Sequence, residues 1–350
     1  MNTSLLERFT QITKVVLEKQ MQSKDEPTVL LFDRQCDLAS LLADAYSVNM
    51  PQAEKLNFDD ENPDELREKL LNLPSGATVV MIQSSNFRLD DFRIRLQLFN
   101  AGIGCLEHAH LKYFGPDEHE TYANALEYRG EYYQSLGESL AEKLEHAKEV
   151  KVVSKNGSIL RFGSMEKCKI NHGIFWKQKN RGGAAICGEI FTEAKDFSSV
   201  NGELMIAAYP GMDWKMVSCE PFKVKIVKSI LTCDDPKCPP LFRENILDVI
   251  AASEDGEVMI REAGFGMNPA ISHANPLSDV SAFERMAGFH LSIGKKHPMY
   301  RKKLNKAVVQ RYHIDVFADL EQISIDNEVV YQAGAYVIDS PTNLPPAHAA

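Results

Sequence analysis

Val150-Lys151-Val152-Val153-Ser154-Lys155-Asn156-Gly157-Ser158-Ile159-Leu160-Arg161-Phe162 is the stretch on which the reading of the fold turns. Two short runs rich in branched and aromatic residues flank Asn156-Gly157, and both turn residues tolerate positive φ. A hairpin of Val150–Ser154 and Ser158–Phe162 is therefore predicted. Upstream of Glu149 the chain has a different character: short apolar runs alternate with amphipathic stretches, as in an open α/β sheet. Strands are predicted at Thr28–Phe32, Thr78–Gln83 and Ile103–His108. Helices are predicted at Ser4–Gln20, Leu38–Ala45, Pro63–Leu71 and Asp90–Asn100, with one long helix from about His119 to His146. Downstream, turn residues recur at Gly182-Gly183, Asn201-Gly202, Asp255-Gly256 and Asp326-Asn327, with helices around Pro240–Ser253 and Ser278–Gly288. The expected fold class is α/β, an N-terminal open α/β domain over residues 1–148 followed by a β-rich α+β domain over 149–350. Pro341 to Ala350 reads as a loose tail.

A chain of 350 residues exceeds what one small core organises, and 44% hydrophobic residues suffice for folding by burial. The formal charge of −10 lacks the basic face that a phosphate backbone needs, so no nucleic-acid partner is expected. Lys295, Lys296, Arg301, Lys302, Lys303 and Lys306 form a local exception, read as a solvated helix or an anion-attracting rim. No apolar run approaches the roughly eighteen residues that span a bilayer, and Met1 to Lys14 has no signal-peptide core. A soluble, cytoplasmic protein without a membrane partner is the expectation. The seven cysteines are irregularly spaced, which fits a reducing compartment. Cys233 and Cys238 stand in a Cys-x4-Cys pair, but no second pair follows at zinc-finger spacing. No glycine-rich phosphate-binding signature occurs in the first 148 residues, which read as a scaffold or lid.

The chemistry concentrates downstream. In Tyr312-His313-Ile314-Asp315-Val316-Phe317, residues two apart on a strand share a face, so His313 and Asp315 can offer an imidazole and a carboxylate to one ion. Glu189, Glu262, Glu284 and His290 lie in the same half. Carboxylates offset a cation's charge while imidazole binds directionally, and such a mixture can leave a position open for water. Each member also has a plainer reading. Glu189 would be a solvated acid exposed by a Gly-led turn, Glu262 would pair with Arg261 before a Gly264-Phe265-Gly266 turn, Glu284 would be a helix-face charge, and His290 would be a hydrogen-bonded core histidine.

From about Gly182 to Val337 these residues carry a resemblance. Gly188-Glu189-Ile190-Phe191-Thr192, Arg261-Glu262-Ala263-Gly264-Phe265-Gly266-Met267-Asn268, Gly288-Phe289-His290-Leu291-Ser292-Ile293-Gly294 and Tyr312-His313-Ile314-Asp315-Val316 are similar, in order and spacing, to the aminopeptidase T family of metallopeptidases. That family also includes 2,5-dihydroxypyridine ring-cleaving dioxygenases. The resemblance implies that Glu189, Glu262, His290, His313 and Asp315 bind a pair of divalent ions, with Glu262 as a bridge, and it favours a homo-oligomer; the expected cofactor is one or two divalent ions, Zn, Mn or Co. The peptidases place a further Glu where this chain has Arg285, with Glu284 one step earlier. They place a Tyr where this chain has His297, with Tyr300 close by. The dioxygenases hold one Fe(II) with a His at the position of Glu262.

The reading that follows is a metal-dependent hydrolase cleaving an amide bond in a small peptide or peptide-like metabolite through a metal-activated water. Glu189 or Glu284 would act as general base, and His297 or Tyr300 would assist the leaving amine. The alternative is a non-haem Fe(II) dioxygenase acting on a hydroxylated aromatic small molecule. A third reading is a binding module that would survive Ala replacement of both His313 and Asp315.

Overall fold

The computed structural model describes residues 3–22, 27–86, 88–89, 94–253, 256–294 and 312–338. His297, Tyr300, the basic cluster from Lys295 to Lys306, Asp255 and the tail from Pro341 lie outside them. In chain order the elements begin with α1 (Thr3–Val16), β1 (Thr28–Phe32), α2 (Asp37–Asn49), β2 (Glu54–Asn57), α3 (Pro63–Leu71) and β3 (Thr78–Ile82). They continue with α4 (Arg95–Asn100), β4 (Gly104–His108), α5 (His119–Leu126), α6 (Gly130–His146), β5 (Val150–Ser154) and β6 (Ile159–Phe162). Next come β7 (Lys169–Asn171), β8 (Gly182–Ala184), β9 (Glu189–Thr192), β10 (Asn201–Pro210), β11 (Met216–Val227) and β12 (Ile230–Thr232). The helices α7 (Pro240–Phe242) and α8 (Asp248–Ser253), β13 (Ile260–Gly266) and α9 (Val280–Phe283) follow. The last strands are β14 (Gly288–Gly294), β15 (His313–Ala318), β16 (Leu320–Ile325), β17 (Glu328–Gln332) and β18 (Ala335–Tyr336).

The chain divides into two compact units, the first made of Met1–Glu131, His172–Cys187 and Asn275–Ser278, and the second of the remaining residues. The sequence expectation of one boundary after residue 148 differs from this division. Helix α6 goes almost wholly with the second unit, while residues 172–187 return to the first. Strand pairing causes that return. Gly182-Gly183, expected as a turn, is instead the start of β8, which pairs in parallel with β4.

The first unit carries a five-stranded parallel sheet in the order β2-β1-β3-β4-β8. Its central strand β3, Thr-Val-Val-Met-Ile, is buried at every position, as expected of a parallel strand covered on both faces. Val29, Leu31, Val79, Met81 and Cys105 pack with Leu66, Leu70 and Leu98 from the helices to form one core. The long helix predicted from His119 to His146 is two helices. Glu127, between α5 and α6, adopts φ −53 and ψ 133, which no helix continues through.

The second unit is built on an antiparallel sheet that follows the path β18-β17-β16-β5-β6-β10-β15-β14-β13-β9-β7, with β11 and β12 branching from β10. The predicted hairpin is β5–β6, with Val150 opposite Phe162 and Gly157 at φ 87 in its turn. Strand β5 alternates buried and half-buried residues, the pattern of a sheet with one face on a core. Asp326-Asn327, both at positive φ, turns β16 into β17. The helix predicted over Ser278–Gly288 is only the single turn of α9, after which the chain runs irregularly through Glu284 and Arg285 to β14. Among the described residues no helix is long and apolar enough to cross a membrane.

Candidate metal centre

Four neighbouring strands of the second unit bring the candidate ligands onto one face. On β13, β14 and β15 the residues Glu262, Ser292 and Asp315 stand opposite one another in a single cross-strand row. Two residues along, Gly264, His290 and Phe317 form the next row, and at the other end Gly294 faces His313. Strand β9 continues the pattern on the far side of β13, where Glu189 faces Gly266. Because side chains alternate along a strand and neighbouring strands lie about 4.8 Å apart, these residues all project from the same side. A register shift between Ile260 and Glu262 marks a bulge in β13. Bulges re-aim the side chains that follow, and Glu262 is the first regularly paired residue after this one.

The two glycines make the face concave. A Cβ on Gly264 would lie 2.0 Å from His290 Nε2, so the imidazole rests directly on the bare backbone of β13. A Cβ on Gly266 would lie 2.0 Å from the Met286 carbonyl oxygen. Its absence lets the segment after α9 cross close over the strand. That crossing carries Glu284 and Arg285 to the ligand cluster. Gly264-Phe265-Gly266 is therefore not the turn expected from the sequence but the end of β13, its glycines spaced by two to clear one face.

Glu189 is likewise not solvent-exposed but buried, and so are Glu262, His290, Asp315 and Arg285. Arg285 Nη1 donates to Glu189 Oε2 at 2.7 Å and also to Glu284 Oε1. The Ser292 hydroxyl donates to Asp315 Oδ1 and has Glu262 Oε1 at 3.3 Å. His313 Nε2 lies 3.5 Å from Asp315 Oδ1, and His290 Nε2 lies 3.4 Å from Glu189 Oε1. Two ligand atoms have no hydrogen-bond partner although both are sealed from solvent, Glu262 Oε2 and His290 Nε2.

The charges respond to this crowding. Burial, reinforced by the carboxylates of Asp315, Glu189 and Glu284, pushes the Glu262 carboxyl well above the usual range. Burial also holds Glu284 well above it, with Arg285 opposing and Glu189 and Asp315 assisting. For Glu189 burial opposes ionisation, but Arg285 and His290 outweigh it and its carboxyl sits below the usual range. Asp315 is also held down, burial being outweighed by His313, His290 and the Ser292 hydrogen bond. The proximity of Glu284 and Asp315 raises the first and lowers the second.

Ligand atoms from three overlapping groups lie within 4.8 Å of one another: Glu189, Glu262 and His290; Glu262, His313 and Asp315; and Glu284, His290 and Asp315. Each group offers one imidazole and two carboxylates. The residues fit a divalent ion on two counts. An unpartnered buried carboxylate oxygen and an unpartnered buried imidazole nitrogen are costly without a cation or proton. The bare backbone of Gly264 also leaves His290 its place. All six residues singled out in the described sequence thus meet on one face. Arg285 and Ser292, by contrast, had no assigned part in the sequence reading. The only prior sign was that Arg285 stands where the peptidases resembled here have an acid.

Over 97% of its length the chain is similar in fold to a 2,5-dihydroxypyridine dioxygenase from Pseudomonas putida KT2440, covering 98% of that chain with TM-score 0.62 and 15% identity. Over 95% of its length it is similar to AmpT from Thermus thermophilus, covering 99% of that chain with TM-score 0.58 and 12% identity. No family model and no curated protein matches the chain. At such identities the likeness is one of fold, and the fold is the one that the sequence resemblance implied.

Proposed function

We propose that the protein is a metal-dependent hydrolase that cleaves an amide bond in a small peptide or peptide-like metabolite. The observation that supports this most is the donor set, in which every group pairs one imidazole with two carboxylates and none of the three contains both histidines. Non-haem iron oxygenases characteristically use two imidazoles and one carboxylate, whereas oxygen-rich sets suit hydrolytic cations. Glu189, Glu262, His290, His313 and Asp315 would hold the ion or ions. A divalent ion there supplies Lewis acidity, acidifying a water and polarising a substrate carbonyl.

The chain's own groups supply the proton handling. Arg285 fixes the Glu284 carboxyl through Oε1, and burial holds that carboxyl above the usual range. Once ionised, Glu284 takes a proton from the attacking water and returns it to the leaving amine, the task of a general base and then acid. Arg285, whose guanidinium stays charged, offers electrostatic stabilisation to an oxyanion forming beside it. His297 and Tyr300 stay assigned to leaving-amine assistance on the sequence reading alone.

Treatment with EDTA is expected to reduce hydrolysis of aminoacyl 4-nitroanilides and dipeptides by about 100-fold or more, with Zn²⁺, Mn²⁺ or Co²⁺ restoring it. Full activity after metal stripping would refute the reading. Fe²⁺-dependent O₂ uptake with a hydroxylated pyridine, seen in an oxygen electrode without any hydrolysis, would replace it by the ring-cleaving alternative.

A further inference from the structure

The first unit holds a cavity of about 420 Å³, within the roughly 300–1,000 Å³ usual for small-molecule sites. It lies at the amino ends of β1 and β3, where Thr28 and Thr78, the first residues of the two strands, are paired and both line it. Open α/β sheets commonly bind nucleotides at the other edge, outside the carboxyl ends of the strands. The ligand of this cavity has to be read from its own lining.

Thr78 is wholly buried, and its hydroxyl has no hydrogen-bond partner. A sealed hydroxyl in that state is costly unless a ligand supplies the partner. Asn49, the last residue of α2, donates through Nδ2 to the Thr10 carbonyl at 2.7 Å and to the Thr13 hydroxyl at 2.8 Å. Both amide hydrogens are thereby spent, and the side-chain oxygen of Asn49 keeps the role of acceptor. The end of α2 borders the cavity through Asn49 and Met50, which sets the partial negative charge of a helix carboxyl terminus beside it. Lys14 of α1 and Glu18 of the π-helical turn Leu17–Met21 that continues it are exposed lining residues. Such π turns recur at functional sites. Leu17, Met50 and Ala53 supply an apolar wall.

Glu18, the Asn49 oxygen and the end of α2 suit an ammonium group, Lys14 and the Thr78 hydroxyl suit a carboxylate, and the wall suits a hydrocarbon side chain. We propose that the cavity is a binding site for an α-amino acid with an apolar side chain. The proposal is independent of the metal-centre reading, since none of the six residues of that centre lines the cavity.

Isothermal titration of L-leucine into the full chain tests it, with EDTA present so that no ion on the second unit competes for the amino acid. One binding event per chain is expected. N-acetyl-L-leucine, which lacks the ammonium, and L-leucinamide, which lacks the carboxylate, should each bind about 10-fold more weakly or worse. Thr78→Val keeps the shape and removes the hydroxyl. It should weaken leucine binding about 10-fold while leaving the melting temperature of the ligand-free protein unchanged or raised, because the lost hydroxyl had no partner. Asp315→Asn should bind leucine as the native protein does. Absence of binding up to about 10 mM leucine, or native affinity in Thr78→Val, would overturn the proposal. Loss of binding in Asp315→Asn would also overturn it, by placing the amino acid at the candidate metal centre. If Thr78→Val does not fold, the double variant Lys14→Gln/Glu18→Gln, changed only at exposed positions, decides: affinity about 5-fold lower upholds the proposal, and native affinity overturns it.

Discussion

Glu262→Gln is expected to weaken divalent-ion binding by about 100-fold or more, because even partners one shell outside a metal cost 10- to 100-fold when lost. The same substitution should make the metal-free protein more stable. Glu262 is 5% exposed, has one oxygen without a partner, and faces three other carboxylates. Its carboxyl is raised in the folded state above the ordinary 4.5. A group raised in this way contributes stability that is fully present below its unfolded pKa and is lost as pH rises through the folded one. In EDTA, the melting temperature of the native protein should therefore fall relative to that of Glu262→Gln as the pH is taken upward from about 4.5. Parallel curves for the two proteins would show that Glu262 is not under the electrostatic load described. Opposite effects on metal affinity and apo stability are the mark of a residue kept for binding at a cost to the fold.

Gly264→Ala should damage both the fold and the ligand cluster, although it adds a single methyl group. The added Cβ would fall 2.0 Å from His290 Nε2 and 2.2 Å from Cε1, distances no non-bonded carbon adopts. The imidazole cannot retreat easily, since His290 is 2% exposed with Phe317 packed 5.5 Å from its ring centre. Overpacking of this kind costs about 1–3 kcal/mol. Displacement of the ring also removes an imidazole from two of the three ligand groups. Chemical denaturation should report the loss of stability, and isothermal titration with Zn²⁺ a parallel loss of affinity. Native-like values in both would mean that β13 and β14 can separate at this point without consequence.

How far the molecule was legible from its sequence depended on whether the deciding interactions were local. The β5–β6 hairpin is specified by its own turn residues and alternation, and its strands fall within a residue of the predicted limits. Pro63–Leu71 was equally plain, with Asn62 accepting from the amides of Asp64 and Glu65 and proline in the first turn. Non-local effects were hidden. Nothing in Gly182-Gly183 by itself says that a distant strand, β4, will recruit it, and a Gly-x-Gly spacing reads equally as a turn or as a cleared strand face. The candidate site divides in the same way. Residue types suited to a cation could be picked out one by one, whereas the engagement of Glu189 by Arg285, 96 residues apart, follows only from the chain's crossing over Gly266.

Cross-strand register carries one more consequence. The candidate ligands come from strands far apart in the chain, and only hydrogen-bonded pairing of β9, β13, β14 and β15 aligns them. Slippage of any of these strands by one residue would turn its ligand to the opposite side of the sheet. None of the three ligand groups is complete within a single strand. A cation can therefore recognise a ligand group only after the separate strands that supply it have docked in their correct alignment, and its capture reports that this part of the sheet has formed.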